Sequence, residues 1–280
     1  MKATLFIGLF ILIFSHQVLA FGILQPNGGR TTSLGNCSVA LNDFWSCHNT
    51  PAGFASMKEI SIGISYHNKF MMKELGYKNT GILFPLNLGV IGVSFSQFGY
   101  NLYNENIIGL GFARNFGDKL RIGIKLDYLF FNFSDEYEDQ SVPTFELGLQ
   151  YQINESLCLG AYIFNPINVK LKTINRDRDK IPVIMRLGLS YYLNEAFLIT
   201  SEIEENFEYD FSYRFGLEYE IYKNILLRSG FQFNPGLFTF GIGYNYHKYI
   251  IDICAQMNQT LGASLNCSFI FKIKSRRAAI

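Results

Sequence analysis

From about residue 59 onward the chain alternates with a period of two, and both faces of the alternation can be read. In Phe211 to Ile221, the residues Phe211, Tyr213, Phe215, Leu217, Tyr219 and Ile221 share one face. Ser212, Arg214, Gly216, Glu218 and Glu220 share the other. Val183 to Leu193 repeats the pattern, with Ile184, Arg186, Gly188, Ser190 and Tyr192 opposite an apolar row. Leu120 to Phe130 and Pro143 to Tyr151 follow it too, with Lys125, Asp127, Glu146 and Gln150 on the polar side. A period of two is the strand signature, so these segments are strands with one oily face and one wet face.

About fourteen such strands of roughly 8–14 residues are predicted, long enough to cross a bilayer at a tilt. Their spans are 59–67, 77–86, 89–100, 106–116, 120–133, 142–153, 157–164, 181–193, 197–207, 210–222, 225–233, 237–246, 249–257 and 261–273. A soluble sandwich would hide the apolar face, and its strands are usually nearer five or six residues. A membrane barrel shows the apolar face to lipid and the polar face to its lumen. The connections decide between the two. Short turns at 87–88, 117–119, 154–156, 194–196, 223–224 and 247–248 alternate with longer, more polar connections at 68–76, 101–105, 134–141 and 165–180, whereas the last three on that second side, 208–209, 234–236 and 258–260, are short. Tight turns on one side and longer loops on the other are the habit of bacterial outer-membrane barrels. The expectation is an all-β, transmembrane, antiparallel up-and-down β-barrel in the cell outer membrane. Its even strand number leaves both termini periplasmic.

The remaining sequence divides around that barrel. Lys2, the apolar run Leu5 to Phe14 and the small-residue site Val18-Leu19-Ala20 read as a signal peptide over 1–20. Residues 21–57 do not alternate, residues 58–274 form the barrel, and 275–280 are a C-terminal tail. No run of 18 apolar residues follows the leader, so a spanning helix is not available and only a closed barrel could cross. A charge of +1 gives no electrostatic pull toward nucleic acid. Five cysteines at irregular spacing match no zinc pattern. Cys37 and Cys47 either pair in an oxidising compartment or act, with the rest, as small apolar fillers.

The segment 21–57 is rich in Gly, Asn, Ser and Ala, and a helical stretch around Val39 to Cys47 is expected within it. Some 35 residues ahead of a barrel can form a plug in the lumen; the alternative is a disordered leader. The segment also carries an ordered pattern: Gly29-Arg30, Leu34-Gly35, Ser38-Val39-Ala40-Leu41, Asp43, Trp45-Ser46 and Asn49-Thr50-Pro51-Ala52-Gly53-Phe54. This resembles the start of the FadL-like outer-membrane proteins, especially the PorV/PorQ branch. The last hairpin, through Asp252 and Leu261-Gly262 to Ser268-Phe269-Ile270-Phe271-Lys272, is similar as well. Thr50 departs from the usual Asn, and the chain runs on past the hairpin without a terminal aromatic. The resemblance implies a 14-stranded barrel with an N-terminal hatch whose marked residues are Arg30, Gly35, Asp43, Asn49, Pro51 and Gly53. It also implies binding or passage of small hydrophobic compounds or, on the PorV side, a partner in type IX secretion; an envelope scaffold barrel without transport activity is the further alternative.

Catalytic patterns are missing. His48, His67 and His247 stand apart, no nucleophile elbow occurs, and no cofactor or metal is implied. Ser134 to Asp139 and Arg176 to Lys180 read as solvated loops. The inward charges Arg186, Glu202, Glu204, Arg214, Glu218, Glu220 and Arg228 fall on neighbouring strands. Their mixed signs suggest ion pairs that brace the lumen or hold a plug, where an ion-selective pore would favour one sign. Inward aromatics such as Tyr192 either line a hydrophobic route or belong to an interfacial girdle.

Overall fold

The computed structural model describes residues 22, 24–133, 139–170, 181–207 and 211–273. Fourteen antiparallel strands close into one barrel: β1 (Ile60–Asn68), β2 (Gly76–Leu86), β3 (Gly89–Tyr100), β4 (Tyr103–Phe116), β5 (Leu120–Phe133), β6 (Gln140–Gln152), β7 (Leu157–Phe164), β8 (Ile184–Asn194), β9 (Phe197–Asn206), β10 (Ser212–Tyr222), β11 (Ile225–Phe233), β12 (Leu237–Tyr246), β13 (Tyr249–Asn258) and β14 (Gly262–Ile273). Each strand pairs with its neighbours in sequence, and β1 seals against β14 from Ile60↔Ile273 to Asn68↔Leu265. Closure leaves no unpaired edge, the condition for strands to lie in hydrocarbon. No described helix is long and apolar enough to cross a membrane.

The alternation sorts as expected. Outward positions stay exposed although they are large and apolar, as at Leu126 (59%) and Phe240 (55%). An apolar face this extensive belongs in lipid. Aliphatic side chains such as Ile64, Leu110, Leu187 and Ile253 lie mid-strand. Phe116, Tyr151, Tyr219, Tyr244 and Tyr249 gather toward the short-turn end, consistent with an interfacial aromatic belt.

Three sequence expectations shift. Residues 101–105 are not a loop: β4 starts at Tyr103, opposite Tyr100. Asn104, Asn106 and Asn132 form a side-chain ladder there, with Asn104 Oδ1 accepting at 2.6 and 2.9 Å, so the polar run continues the strand. β8 starts at Ile184, not at residue 181. Pro182 has no N–H for the ladder, and the Ile181 amide turns aside to Val169 O at 3.2 Å. The helix expected over Val39 to Cys47 is replaced by two shorter ones, α1 (Gly29–Ser33) and α2 (Ser46–Asn49), with a 3-10 turn at Pro51–Phe54. Residues 39–45 give up helical bonds because Val39, Ala40 and Leu41 offer their backbone groups to inward side chains of the barrel. The signal peptide, residues 134–138 and 176–180, and the tail 275–280 lie outside the described residues.

Candidate functional site

The N-terminal segment runs across the inward faces of the strands, and its fit begins with glycine. Five glycine couples face each other across the ladder: Gly63↔Gly81, Gly92↔Gly111, Gly123↔Gly148, Gly160↔Gly188 and Gly216↔Gly230. All lie on the inward parity. A side chain at almost any of them would meet the segment. A Cβ on Gly148 would come within 2.7 Å of Thr50 Oγ1, and one on Gly216 within 2.6 Å of Leu34 O. One on Gly230 would run into the Gly35 backbone. Gly35 itself has φ +66, a conformation that favours glycine, and its amide donates to Thr239 Oγ1 at 3.0 Å. At Gly123, Gly148, Gly160, Gly216 and Gly230 the glycines let the segment's backbone approach the wall, and at Gly63, Gly81, Gly92 and Gly111 they make room for Phe44, Cys47 and Phe54. In the sequence these residues stand only as members of the polar face. Their recurrence at mid-strand on so many strands was the available signal.

Apolar packing fills the same level. Phe44, Trp45, Cys47 and Phe54 cluster with Leu83, Val90, Ala113 and Ile270 of the wall. Leu34, Cys37 and Leu41 meet Leu198. Val39 joins Leu129, Phe131, Tyr162 and Phe164. Trp45 is fully buried with Phe44 edge-on at 5.1 Å. Burying each such large side chain stabilises the docked segment by about 1.5–3 kcal/mol. All five cysteines are unpaired; Cys37 and Cys47 are packed as apolar fillers.

Charges then fix the position, in three groups. Arg30 of α1 forks onto Glu218, with Nη2–Oε1 at 2.7 Å and Nε–Oε2 at 2.9 Å, and reaches Asp43 at 3.3 Å. Glu218 also accepts from Arg228 Nε at 2.6 Å, and Arg228 pairs with Asp252 at 2.5 Å. Asp252 accepts from Ser268 Oγ at 3.3 Å, and Ser268 Oγ accepts the Gly29 amide at 3.1 Å, so the run returns to α1. In the second group Arg214 pairs with Glu202 at 2.7 Å and Glu204 at 2.6 Å, and Arg186 pairs with Glu204 at 2.5 Å. Glu202 Oε2 accepts the Ser38 and Val39 amides at 2.7 and 2.8 Å, and Arg214 donates to Asn36 O at 3.2 Å. In the third, Lys125 pairs with Glu146 at 3.0 Å and Asp127 at 3.5 Å, and donates to Cys47 O at 3.4 Å.

The inward charges read from the sequence thus meet, with one exception. Glu220 is exposed at the short-turn rim, where it accepts the Asn224 amide at 3.0 Å. Tyr192 is also at that rim, beside a register shift, and half exposed. Lys125, Asp43 and Asp252 belong to the groups as well. The remaining marked residues hold the segment to itself. Asn49 accepts the Asn27 amide at 2.7 Å and donates back to Asn27 O at 2.9 Å. Pro51 opens the 3-10 turn, and Gly53 sits where a Cβ would crowd Leu41 O.

Burial works against the charge on Arg30, but Glu218 and Asp43 outweigh it and hold the guanidinium well above its ordinary pKa. Burial raises Asp43, which Arg30 only partly offsets. Burial, helped by nearby Lys125, pulls His48 down to about 3, so its ring is neutral where Nδ1 meets Ser96 Oγ at 3.1 Å. Among the described residues no three His, Cys, Asp or Glu side chains converge on a metal position. At the long-loop end the segment leaves a cavity of about 640 Å³, floored in part by Asn36.

No family model matches the sequence, and no curated protein matches it. Solved structures do share the architecture. The toluene transporter TodX of Pseudomonas putida superposes with a TM-score of 0.69 at 12% identity, over 90% of this chain and 99% of that one. The barrel has their fold. The Ralstonia pickettii toluene transporter TbuX gives 0.65 at 13% identity, covering 90% and 99%. A Pseudomonas aeruginosa FadL homologue gives 0.63 at 10%, covering 89% and 98%.

Proposed function

We propose that the chain is an outer-membrane channel of the FadL type that binds or passes small hydrophobic compounds, with residues 21–57 as its hatch. One observation carries the reading: the lumen is occupied by the protein's own N-terminal segment, seated on a glycine ring and held by ion pairs. A barrel built as a passive ion pore has no use for such an insert. Shared fold with proteins described as toluene transporters and a monoaromatic hydrocarbon channel supports the choice of cargo. The signal-peptide pattern and the tight turns at one end support export, with both termini and the short turns periplasmic.

The test is uptake of a labelled hydrocarbon or fatty acid into liposomes carrying the protein, with and without residues 21–57. Saturable uptake by the intact protein supports the reading, and no uptake in either form counts against it. The second reading, a secretion accessory of the PorV kind, rests on the ordered residues from Gly29 to Phe54. Crosslinking in intact outer membranes should then capture an envelope protein partner, and its absence would weaken that reading.

A further inference from the structure

The cavity above the hatch has a mixed lining, polar and apolar. On the β9–β14 side and on its floor, hydrogen-bonding groups connect in a line. Gln256 Nε2 donates to Asn36 Oδ1 at 3.2 Å, Asn36 Nδ2 to Gln232 Oε1 at 2.7 Å, and Gln232 Nε2 to Ser212 Oγ at 3.0 Å. Each amide brings two N–H donors and a two-lone-pair oxygen. Among the described residues the line leaves a second N–H on Asn36 and on Gln232, and the Gln256 carbonyl, unspent. Apolar side chains of Leu24, Phe70, Ile184, Leu237 and Leu261 line the same cavity, Leu237 directly beside Gln232 in the ladder.

The charges do not compete for a ligand. Arg214 and Glu204 line the cavity but neutralise each other at 2.6 Å. Lys69 also lines it, over the rings of Phe70 and Tyr77 at 5.9 and 5.8 Å, and burial pulls it down to about 8. The volume, about 640 Å³, is that of a site for a single small molecule.

We propose that this vestibule is a binding site for a neutral amphiphile, a molecule with a hydroxyl or carbonyl head on the Asn36–Gln232–Gln256 line and an apolar body against the apolar side chains of the same cavity. The proposal rests on the conduit reading and narrows its substrate class. A plain hydrocarbon would strip water from the amides without replacing its hydrogen bonds, whereas a hydroxyl replaces them. Among the described lining residues an anion would find one cation outside the Arg214–Glu204 pair, Lys69.

The experiment uses the intact barrel in phospholipid nanodiscs and a matched series of probes: dodecanol, dodecane and dodecanoate. Dodecanol should bind saturably, about tenfold or more tighter than dodecane. Gln232→Leu with Gln256→Leu should abolish that gap, and Ser212→Ala alone should narrow it. Heat-modifiable gel mobility shows whether each variant is folded; Ser212→Ala decides if the double variant is not. Equal binding of dodecane and dodecanol by the native protein overturns the proposal. So does tighter binding of dodecanoate that Lys69→Met removes, or no saturable binding of any probe. Hydrocarbon uptake into liposomes separates the two levels. Uptake that persists while the vestibule shows no preference leaves the conduit standing without this site; a preference without uptake leaves the site and removes the conduit.

Discussion

Arg30 and Glu218 tie the N-terminal segment to the wall, and removing either should weaken docking by different amounts. Arg30→Ala removes a two-bond fork to Glu218 and a longer contact to Asp43. Glu218 keeps Arg228 at 2.6 Å, so only Asp43 loses its cation. Burial already raises Asp43, so it can take up a proton and shed its charge. The loss should therefore fall at the low end for a broken buried pair, about 3 kcal/mol. Glu218→Ala leaves Arg30 and Arg228 in one site with their shared partner gone, and guanidinium groups cannot discharge. That change should cost nearer 5 kcal/mol. At about 1.4 kcal/mol per factor of ten, the docked-to-released ratio falls by roughly two orders of magnitude in the first case and more than three in the second. Trp45 is the sole tryptophan and is fully buried in the N-terminal segment, so its emission wavelength and acrylamide quenching report release directly. Urea titrations of the folded barrel in detergent should show a Trp45 transition that moves down in Arg30→Ala and further in Glu218→Ala. The double variant should lose less than the sum. The reasoning fails if Arg30→Ala leaves the transition unmoved, or weakens docking more than Glu218→Ala does.

Other outcomes use the same tryptophan or its neighbours. Gly148→Val should weaken docking by about 1–3 kcal/mol through overpacking against Thr50 and Ala52, while Gly236→Ala, near only the flexible end of Gln259, should change little. The neutral His48 contributes docking stability that is present above its ordinary 6.5 and lost as pH falls toward about 3. Trp45 should therefore begin to redden on acidification from just below 6.5, before ordinary carboxylates titrate, and His48→Gln should remove that early phase. Burial pushes the Cys47 thiol up to about 12, so maleimide labelling of Cys47, read by peptide mass spectrometry, should be slow in the native protein and faster in Arg30→Ala.

All fourteen strands were legible because a sheet with lipid outside and polar groups inside writes both faces into the chain. Boundaries slipped where one residue overruled the pattern, at Pro182 for lack of an N–H and at Tyr103, where an asparagine ladder carries the strand onward. The inward charges were legible by parity, but depth along the strand was not, so Glu220 was grouped with residues that lie deeper. The N-terminal segment was harder. Its backbone is held by Glu202, Gln150 and Ser190 from far along the chain, and such partners leave no local periodicity in residues 39–45.

The glycine ring has an electrical consequence. Where the wall is glycine it has no side chain of its own to narrow the bore once the insert is gone. Deleting residues 21–57 should open the barrel's interior at the glycine level and admit water and ions. Arg30 and Asp43 would leave with the segment. Six carboxylates of Asp127, Glu146, Glu202, Glu204, Glu218 and Asp252 would then face four cations, Lys125, Arg186, Arg214 and Arg228. The truncated barrel in a planar bilayer should carry a steady current that favours cations, whereas the intact protein stays electrically quiet.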